Sequence, residues 1–191
     1  MSWYKRSITA EKVQREDKQF SWIFIDASKE IMNVHSSVSK DIDEKDLYKE
    51  EAEKEGDWIY GIEDSPHITV KFGLEYDDPQ PVIDSLKGEK GGNVEVIGTE
   101  IFENDDKDVL VVRVKSEALD RIHDKLTDDL GIEDNYPEYK PHITIGYFKK
   151  GKANKYESMV HKAFTYYLLD FDFDEVFFED RDGKPTTIKL V

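Results

Sequence analysis

One tetrapeptide occurs twice in this chain of 191 residues. Pro66–Thr69 and Pro141–Thr144 both read Pro-His-Ile-Thr, they lie 75 positions apart, and Val or Ile follows each copy. Proline makes up about 5% of residues in average proteins and histidine is also a minor residue, so chance is a poor explanation of the repeat. We interpret it as an internal duplication that places two equivalent segments in the fold.

Each copy is expected to begin a β-strand, because HITVKF and HITIGYF are short apolar runs of the kind that form strands. Side chains at positions i and i+2 of a strand share a face. His67 and Thr69 therefore point one way while Ile68 points the other, and His142 and Thr144 repeat this arrangement. Each strand presents one apolar face for helices to cover and one His/Thr face.

The remaining segments alternate between strand and helix patterns. Ser28 and Ser116 are expected N-caps of helices, and Gly131 is expected to end the second of them. The order βαβαββαβαββ predicts an α+β domain whose two halves each contain a β-α-β unit. The predicted strands are 22–26, 67–72, 94–102, 109–114, 142–148, 169–178 and 186–191, and the predicted helices are 28–42, 78–86, 116–130 and 156–164.

The chain is expected to form a single domain over residues 1–191, because no Gly/Ser-rich or Pro-rich linker divides it. The stretch 41–56 (DIDEKDLYKEEAEKEG) is highly charged and has few apolar residues. Such a composition is typical either of a solvated helix or of an insertion. We assign no chemistry to it.

The charge balance limits the partners of the protein. The 43 Asp and Glu residues outnumber the 27 Lys and Arg residues, which gives a net charge of −16. Because phosphate contacts need clustered basic residues, a long nucleic acid is not expected as a partner. A small anion in a locally basic pocket remains compatible with this charge.

The absence of cysteine from the sequence excludes disulfides, thiolate metal sites and cysteine nucleophiles. No apolar run approaches the ~20 residues that cross a bilayer, and the N-terminal segment lacks the apolar core of a signal peptide. We therefore expect a cytoplasmic protein without a membrane partner. The oligomeric state stays open.

Two histidines with two hydroxyls suit displacement at phosphorus. This reaction needs a base for the attacking oxygen and an acid for the leaving oxygen, on opposite sides of the phosphate. Histidine performs either role near neutral pH, so His67 and His142 are the expected pair. Thr69 and Thr144 are expected to donate hydrogen bonds to non-bridging oxygens. The scheme requires no cofactor, and no metal site is expected.

The paired H-x-T-hydrophobic motifs in a duplicated β-α-β plan resemble the 2H phosphoesterase superfamily, which includes the 2′,5′-RNA ligase-like proteins. The resemblance covers roughly residues 20–191, and only the two motifs are specific. It implies acid/base roles for His67 and His142 and phosphate-binding roles for Thr69 and Thr144. It also implies a bilobal domain, with antiparallel sheets around a central cleft and helices on the outer faces.

The resemblance also implies a class of substrates, namely 2′,3′-cyclic phosphates or 2′–5′ and 3′–5′ phosphodiesters. Within the family, the segment SPHITVKFGL is similar to small phage-encoded members, among them the anti-CBASS phosphodiesterases that degrade cyclic oligonucleotide immune signals. That similarity implies the host cytoplasm as the location. The RNA-processing members carry more basic surface than this chain, so its charge favours a compact cyclic nucleotide.

Four further residues are candidates for substrate binding. Lys71 lies four positions after His67, so it is either a phosphate ligand on the same strand face or a surface lysine. Tyr136, Tyr139 and Trp58 lie near the two motifs, and their rings either stack on a nucleobase or pack a loop.

The sequence thus predicts a hydrolase, a metal-independent phosphodiesterase that acts on a small cyclic nucleotide or oligonucleotide. The alternatives are an RNA-end 2′,3′-cyclic phosphodiesterase and a module that binds a nucleotide without turnover. The negative field of the chain is expected to raise the pKa of the histidines and to displace the rate profile to higher pH.

Overall fold

The computed structural model describes residues 20–51, 58–132, 138–166 and 169–191, which form ten strands and four helices. A 3₁₀ turn at Glu44–Asp46 precedes the second strand. The strands are β1 (Ser21–Asp26), β2 (Lys49–Glu51), β3 (Trp58–Tyr60), β4 (His67–Leu74), β5 (Gly92–Glu103), β6 (Lys107–Lys115), β7 (His142–Lys149), β8 (Asp170–Phe173), β9 (Glu175–Glu179) and β10 (Pro185–Lys189), and the helices are α1 (Lys29–Ser39), α2 (Gln80–Ser85), α3 (Glu117–Leu130) and α4 (Asn154–Thr165).

Within the described residues, eight strands form one antiparallel sheet in the order β10-β9-β1-β4-β7-β6-β5-β8. The first four strands of this order make an N-terminal lobe and the last four a C-terminal lobe. The lobes meet where β4 pairs with β7, and the register there is a single pair, Ile68 opposite Ile143. The two motif strands are therefore neighbours at the centre of the sheet.

The helices cover one face of this sheet, as the apolar positions of the motif strands predict. Ile68, Val70, Ile143 and Ile145 are at most 1% exposed and belong to the main hydrophobic core, which also contains residues of all four helices. Burial of such side chains is the main favourable contribution to folding. The α+β class with antiparallel strands and helices on the outer face is confirmed.

The predicted helix signals are present in the structure. The Ser28 hydroxyl accepts a hydrogen bond from the backbone of Ile31 and caps α1, and the Ser116 hydroxyl accepts one from Leu119 and caps α3. Gly131 ends α3 with a φ of 65°, a left-handed conformation that favours glycine. These caps set the direction in which each helix leaves the strand before it.

The charged stretch forms part of a hairpin that the sequence pattern did not indicate. Its described part, residues 41–51, contains the 3₁₀ turn and β2, and β2 pairs with β3. The hairpin lies beside the part of β7 that follows the Ile68–Ile143 pair. The backbone N–H of Tyr48 donates a hydrogen bond to Tyr147 O (2.9 Å), and the backbone N–H of Tyr147 donates one to Gly61 O (2.7 Å). The hairpin thus lies where β4 leaves β7.

The predicted strand 169–178 is divided into β8 and β9. β8 pairs with β5 at one edge of the sheet, whereas β9 pairs with β1 and β10 in the other lobe. A single apolar run therefore contributes to both lobes. In the described part of the chain, no helix has the length and apolar character needed to span a membrane.

Candidate active site

The four motif side chains lie together on the sheet face opposite the helices. Continuing the antiparallel register from the Ile68–Ile143 pair places His67 opposite Thr144 and Thr69 opposite His142. The two histidines are then diagonal neighbours, a relationship in which strand residues lie about 7–8 Å apart. This spacing leaves room for one phosphate group between two imidazoles and two hydroxyls.

Both imidazoles are oriented by the same backbone contact. His67 Nδ1 lies 2.8 Å from Ser65 O, and His142 Nδ1 lies 2.7 Å from Lys140 O. Because a carbonyl oxygen only accepts hydrogen bonds, each Nδ1 carries the proton and Nε2 is the nitrogen that exchanges the catalytic proton. Each ring is thus tied to the carbonyl two residues before it.

The carbonyl oxygen of each motif proline is hydrogen-bonded to a neighbouring segment. Pro66 O accepts a hydrogen bond from the backbone of Ala27 (3.1 Å), which follows β1, and Pro141 O accepts one from Val114 (3.2 Å) in β6. A proline at the start of a strand leaves no N–H without a partner, since it has none to donate. The duplicated tetrapeptide therefore specifies a backbone geometry as well as two side chains.

Aromatic rings support both histidines from the side. The rings of Trp22 and Phe24 meet His67 edge-on at centroid distances of 4.8 and 5.8 Å. Phe102 meets His142 in the same way at 4.9 Å. These contacts restrict ring rotation and reduce the access of water to the imidazoles.

Different charged residues lie beside the two histidines. Asp26 pairs with His67 across β1 and β4, whereas Arg113 pairs with His142 across β6 and β7. The Arg113 guanidinium donates a hydrogen bond to Glu100, and Lys140 Nζ lies 3.4 Å from the same carboxylate. The pseudo-symmetric site is therefore electrostatically asymmetric.

Burial lowers the pKa of His142 below its usual 6.5, because desolvation disfavours the imidazolium. Hydrogen bonding to Lys140 O opposes this shift, while the positive charges of His67 and Arg113 add to it and the charge of Glu100 opposes it. The expectation that the negative field raises the histidine pKa values is wrong for His142. Local desolvation outweighs the net charge of a chain whose acidic groups are mostly in water.

Lys71 does not lie on the His/Thr face, so its prediction as a phosphate ligand is wrong. In the pairing with β1, Phe24 opposes Thr69 but Ile23 opposes Lys71, so β4 contains one extra residue between them. Such a bulge turns the following side chain to the other face. Lys71 is 2% exposed, and its Nζ donates a hydrogen bond to Thr127 of α3 at 2.8 Å.

Tyr139 also lies away from the His/Thr face, and its prediction as a base-stacking residue is wrong. Its ring stacks on His123 of α3 at a centroid distance of 4.0 Å, and its hydroxyl donates a hydrogen bond to Thr69 O at 2.9 Å. The packing role that the sequence left open is the one observed. Tyr139 holds the backbone of a motif residue and does not face the substrate.

Tyr136 and Trp58 are the two remaining candidates. Tyr136 lies outside the described residues, as does the side chain of Trp58, although the backbone of Trp58 belongs to β3. Their substrate-binding roles stay predictions.

Sequence reasoning missed Arg113, Glu100 and Phe102, which surround His142. The sequence did contain an indication of Arg113, because this residue interrupts the apolar run VLVVRV. The alternation of side chains along a strand places it on the face opposite the core. The pairing of β6 with β7, which brings it beside His142, is a long-range contact that periodicity does not report. Among the described residues, no group of three or more His, Asp or Glu side chains is arranged to hold a metal ion.

Residues 63–185 match the model of the 2′-5′ RNA ligase superfamily. Both motifs lie within this range, which covers well over half of the chain. The protein therefore belongs to this superfamily, the 2H phosphoesterases, and is an enzyme of the phosphodiesterase type. The comparison with curated protein sequences gives no match.

Solved structures show the same fold at low sequence identity. Usb1 of Kluyveromyces marxianus is 12% identical with a TM-score of 0.53, over 91% of this chain and 99% of that one. TT0787 of Thermus thermophilus is 14% identical with a TM-score of 0.52, over 90% and 95%. LigT of E. coli, complexed with NADP+, is 12% identical with a TM-score of 0.51, over 91% and 95%.

The pKa of His142 is directly measurable by NMR from the pH dependence of its imidazole proton shifts. We expect a value below 6.5 in the wild type, an increase in Arg113→Gln and a further decrease in Glu100→Gln, since the two variants remove opposite charges. The His142→Ala spectrum assigns the resonance. A wild-type value above 6.5, or shifts in the reverse directions, contradicts this account of the site.

Proposed function

We propose that the protein is a metal-independent phosphodiesterase that cleaves small cyclic nucleotides or oligonucleotides by paired-histidine acid/base catalysis. The observation that carries the proposal is the shared orientation of the two imidazoles. Both lie on one face of adjoining strands, and both are tied through Nδ1 to a backbone carbonyl. We further propose that residues 1–191 act as one bilobal domain, because both lobes contribute to this site.

His67, Thr69, His142 and Thr144 together supply what the reaction needs. The two imidazoles exchange protons with the attacking and leaving oxygens, and the two threonine hydroxyls donate hydrogen bonds to the non-bridging oxygens. Mere binding of a phosphate needs donors but no acid/base pair. The paired histidines therefore favour turnover over sequestration.

The local charges suggest which histidine begins as the base. His142 lies beside Arg113, and burial lowers its pKa, so its neutral form persists at neutral pH. His67 has the acidic residue Asp26 as its cross-strand neighbour on β1. We therefore assign the initial base role to His142 and the initial acid role to His67.

The first step then proceeds on a phosphodiester with a neighbouring ribose 2′-OH. His142 Nε2 removes the proton of this hydroxyl, O2′ forms a bond to phosphorus, the P–O5′ bond breaks, and His67 gives its proton to O5′. The product is a 2′,3′-cyclic phosphate. Water opens this ring in a second step with the two histidine roles exchanged, which restores both protonation states.

The net charge of the protein favours a small substrate. A net charge of −16 repels a long polyanion along its whole length, whereas a cyclic di- or trinucleotide presents few phosphates. Usb1 of K. marxianus has been solved with uridine monophosphate, and LigT of E. coli with NADP+, both small nucleotides. These complexes support a small substrate. Cyclic oligonucleotide immune signals, as degraded by phage enzymes, are the proposed subclass.

The test is a substrate panel in EDTA, analysed by chromatography, with cyclic di- and trinucleotides and RNA ending in 2′,3′-cyclic phosphate. We expect cleavage of the cyclic compounds without added metal. His67→Ala and His142→Ala should each lose about 10²–10⁴-fold in rate, the usual contribution of a general acid or base. His161→Ala, a histidine variant on α4 that contacts Thr99 at the sheet edge, is the matched control.

Circular dichroism and thermal melts establish that the variants remain folded. Ligand recovered unchanged from a stable complex indicates sequestration, and cleavage of RNA ends alone indicates the RNA-end enzyme. Activity that is lost in EDTA and restored by a divalent cation contradicts the metal-independent mechanism.

The assignment of the acid role to His67 has its own test, in which the leaving group varies. Cleavage of a dinucleotide releases the O5′ alkoxide of a nucleoside, a strong base that needs a proton, whereas the 4-nitrophenyl ester of uridine 3′-phosphate releases a phenolate that does not. We expect His67→Ala to lose less than about tenfold on the ester but about 10²–10⁴-fold on the dinucleotide. His142→Ala should lose comparably on both. If instead His142→Ala loses much less on the ester than on the dinucleotide and His67→Ala loses comparably on both, His142 is the initial acid and His67 the initial base.

A further inference from the structure

Three tyrosines form a cluster on the His/Thr side of the C-terminal lobe, which we term the tyrosine shelf: Tyr48, Tyr60 and Tyr147. The rings of Tyr60 and Tyr147 lie 4.9 Å apart and those of Tyr48 and Tyr60 lie 5.6 Å apart. All three side chains are half-buried. Lys107 Nζ lies 4.5 Å from the Tyr60 ring centre and 5.1 Å from that of Tyr48.

The shelf lies next to the phosphate-binding end of β7. Thr144 pairs with Val111, and Tyr147 pairs with Val109, two positions along β6. Thr144 and Tyr147 therefore share the face on which His142 lies, separated by about 7 Å, the rise of two strand residues. One ribose spans such a gap. A nucleoside whose phosphate lies at Thr144 can reach Tyr147 with its base.

The backbone is distorted to place this shelf. Tyr60 has a φ of 69°, a left-handed conformation that side chains rarely adopt, and Gly61 follows with a φ of 94°. At the crossing point, a Cβ on Gly146 would lie 2.8 Å from Gly61 O, so only glycine permits this approach. Strained residues of this kind are concentrated at functional sites.

The attachment of the hairpin does not by itself require three aromatic rings. Backbone hydrogen bonds of Tyr147 and bridges from Leu47 to Phe148 and from Ile62 to Gly146 already hold it to β7. These contacts involve only main-chain groups. The Tyr48 hydroxyl adds a side-chain contact, since it donates a hydrogen bond to Asp106 at 3.1 Å.

We propose that the tyrosine shelf is a nucleobase-binding subsite, in which the base of the substrate nucleoside stacks on Tyr147 with Tyr60 as the side wall. The subsite rests on the proposed function, since it positions the nucleotide whose phosphate lies between His67 and His142. An aromatic ring stacks on any base, so the shelf selects nucleotides over other phosphate esters and shows little preference among bases. The Lys107 ammonium, which lies over the Tyr60 ring, is itself paired with Asp106 at 3.0 Å.

The test compares two ligands by isothermal titration calorimetry: adenosine 3′-phosphate and the abasic 1-O-methylribose 3-phosphate. Wild type and Tyr147→Phe should bind the adenosine compound at least about tenfold more tightly, as expected for one base–aromatic stack. Tyr147→Leu should bind both ligands within about threefold of each other, with its affinity for the abasic compound unchanged. Tyr166→Leu, a 79% exposed tyrosine at the end of α4, is the control and should behave as wild type.

The outcomes separate the subsite from the proposed function. A Tyr147→Leu variant that keeps the tenfold preference, or that loses affinity for both ligands equally, overturns the subsite, as does a wild type with no preference. If the preference depends on Tyr147 but no substrate of the panel is cleaved, the subsite stands and the proposed function falls. If cleavage depends on both histidines but the preference does not depend on Tyr147, the proposed function stands and the subsite falls.

Discussion

The candidate site depends on one residue pair, Ile68 opposite Ile143, at which the strands of the two lobes meet. Both side chains are 0% exposed in the core beneath the helices, so the hydrophobic effect determines which face each strand presents. A shift of the pairing by one residue would bury the imidazoles and expose the isoleucines. The energy of the core thus fixes the spacing of the groups proposed to act on phosphorus.

The duplicated tetrapeptides produce a symmetric scaffold, and the neighbouring strands make its chemistry asymmetric. Each histidine is tied to a carbonyl two residues earlier and supported by an aromatic edge, yet Asp26 is the cross-strand neighbour of His67 and Arg113 is that of His142. Acid/base catalysis at phosphorus needs one protonated and one neutral imidazole at the start. In a pair of equivalent histidines the proton would occupy either ring equally, so the charged residues next to them provide the difference that the repeat cannot.

The α+β class and the shared face of His67, Thr69, His142 and Thr144 could be predicted because they follow from local rules, namely strand periodicity and helix capping. The same i, i+2 rule failed at Lys71, since a bulge against β1 inserts an extra residue. A bulge depends on the partner strand and leaves no mark in the local pattern.

Long-range contacts account for the other differences between prediction and structure. Its proximity in sequence to His142 leaves Tyr139 either stacking or packing, and the structure shows that α3 and β4 use its ring and hydroxyl. The tyrosine shelf joins segments that are far apart in the chain, and the position of Tyr60 depends on a left-handed residue beside a glycine. Neither feature is visible to periodicity, because both arise from how the hairpin crosses β7.

The most direct test of the central claim is a double-variant cycle on a cyclic dinucleotide, measured as kcat/KM in EDTA. If His67 and His142 act together on one phosphate, either alanine variant already disables the reaction, and His67→Ala/His142→Ala should be within about tenfold of the slower single variant. Losses that multiply in the double variant would show that the two imidazoles act independently, and would contradict a single phosphate site between them.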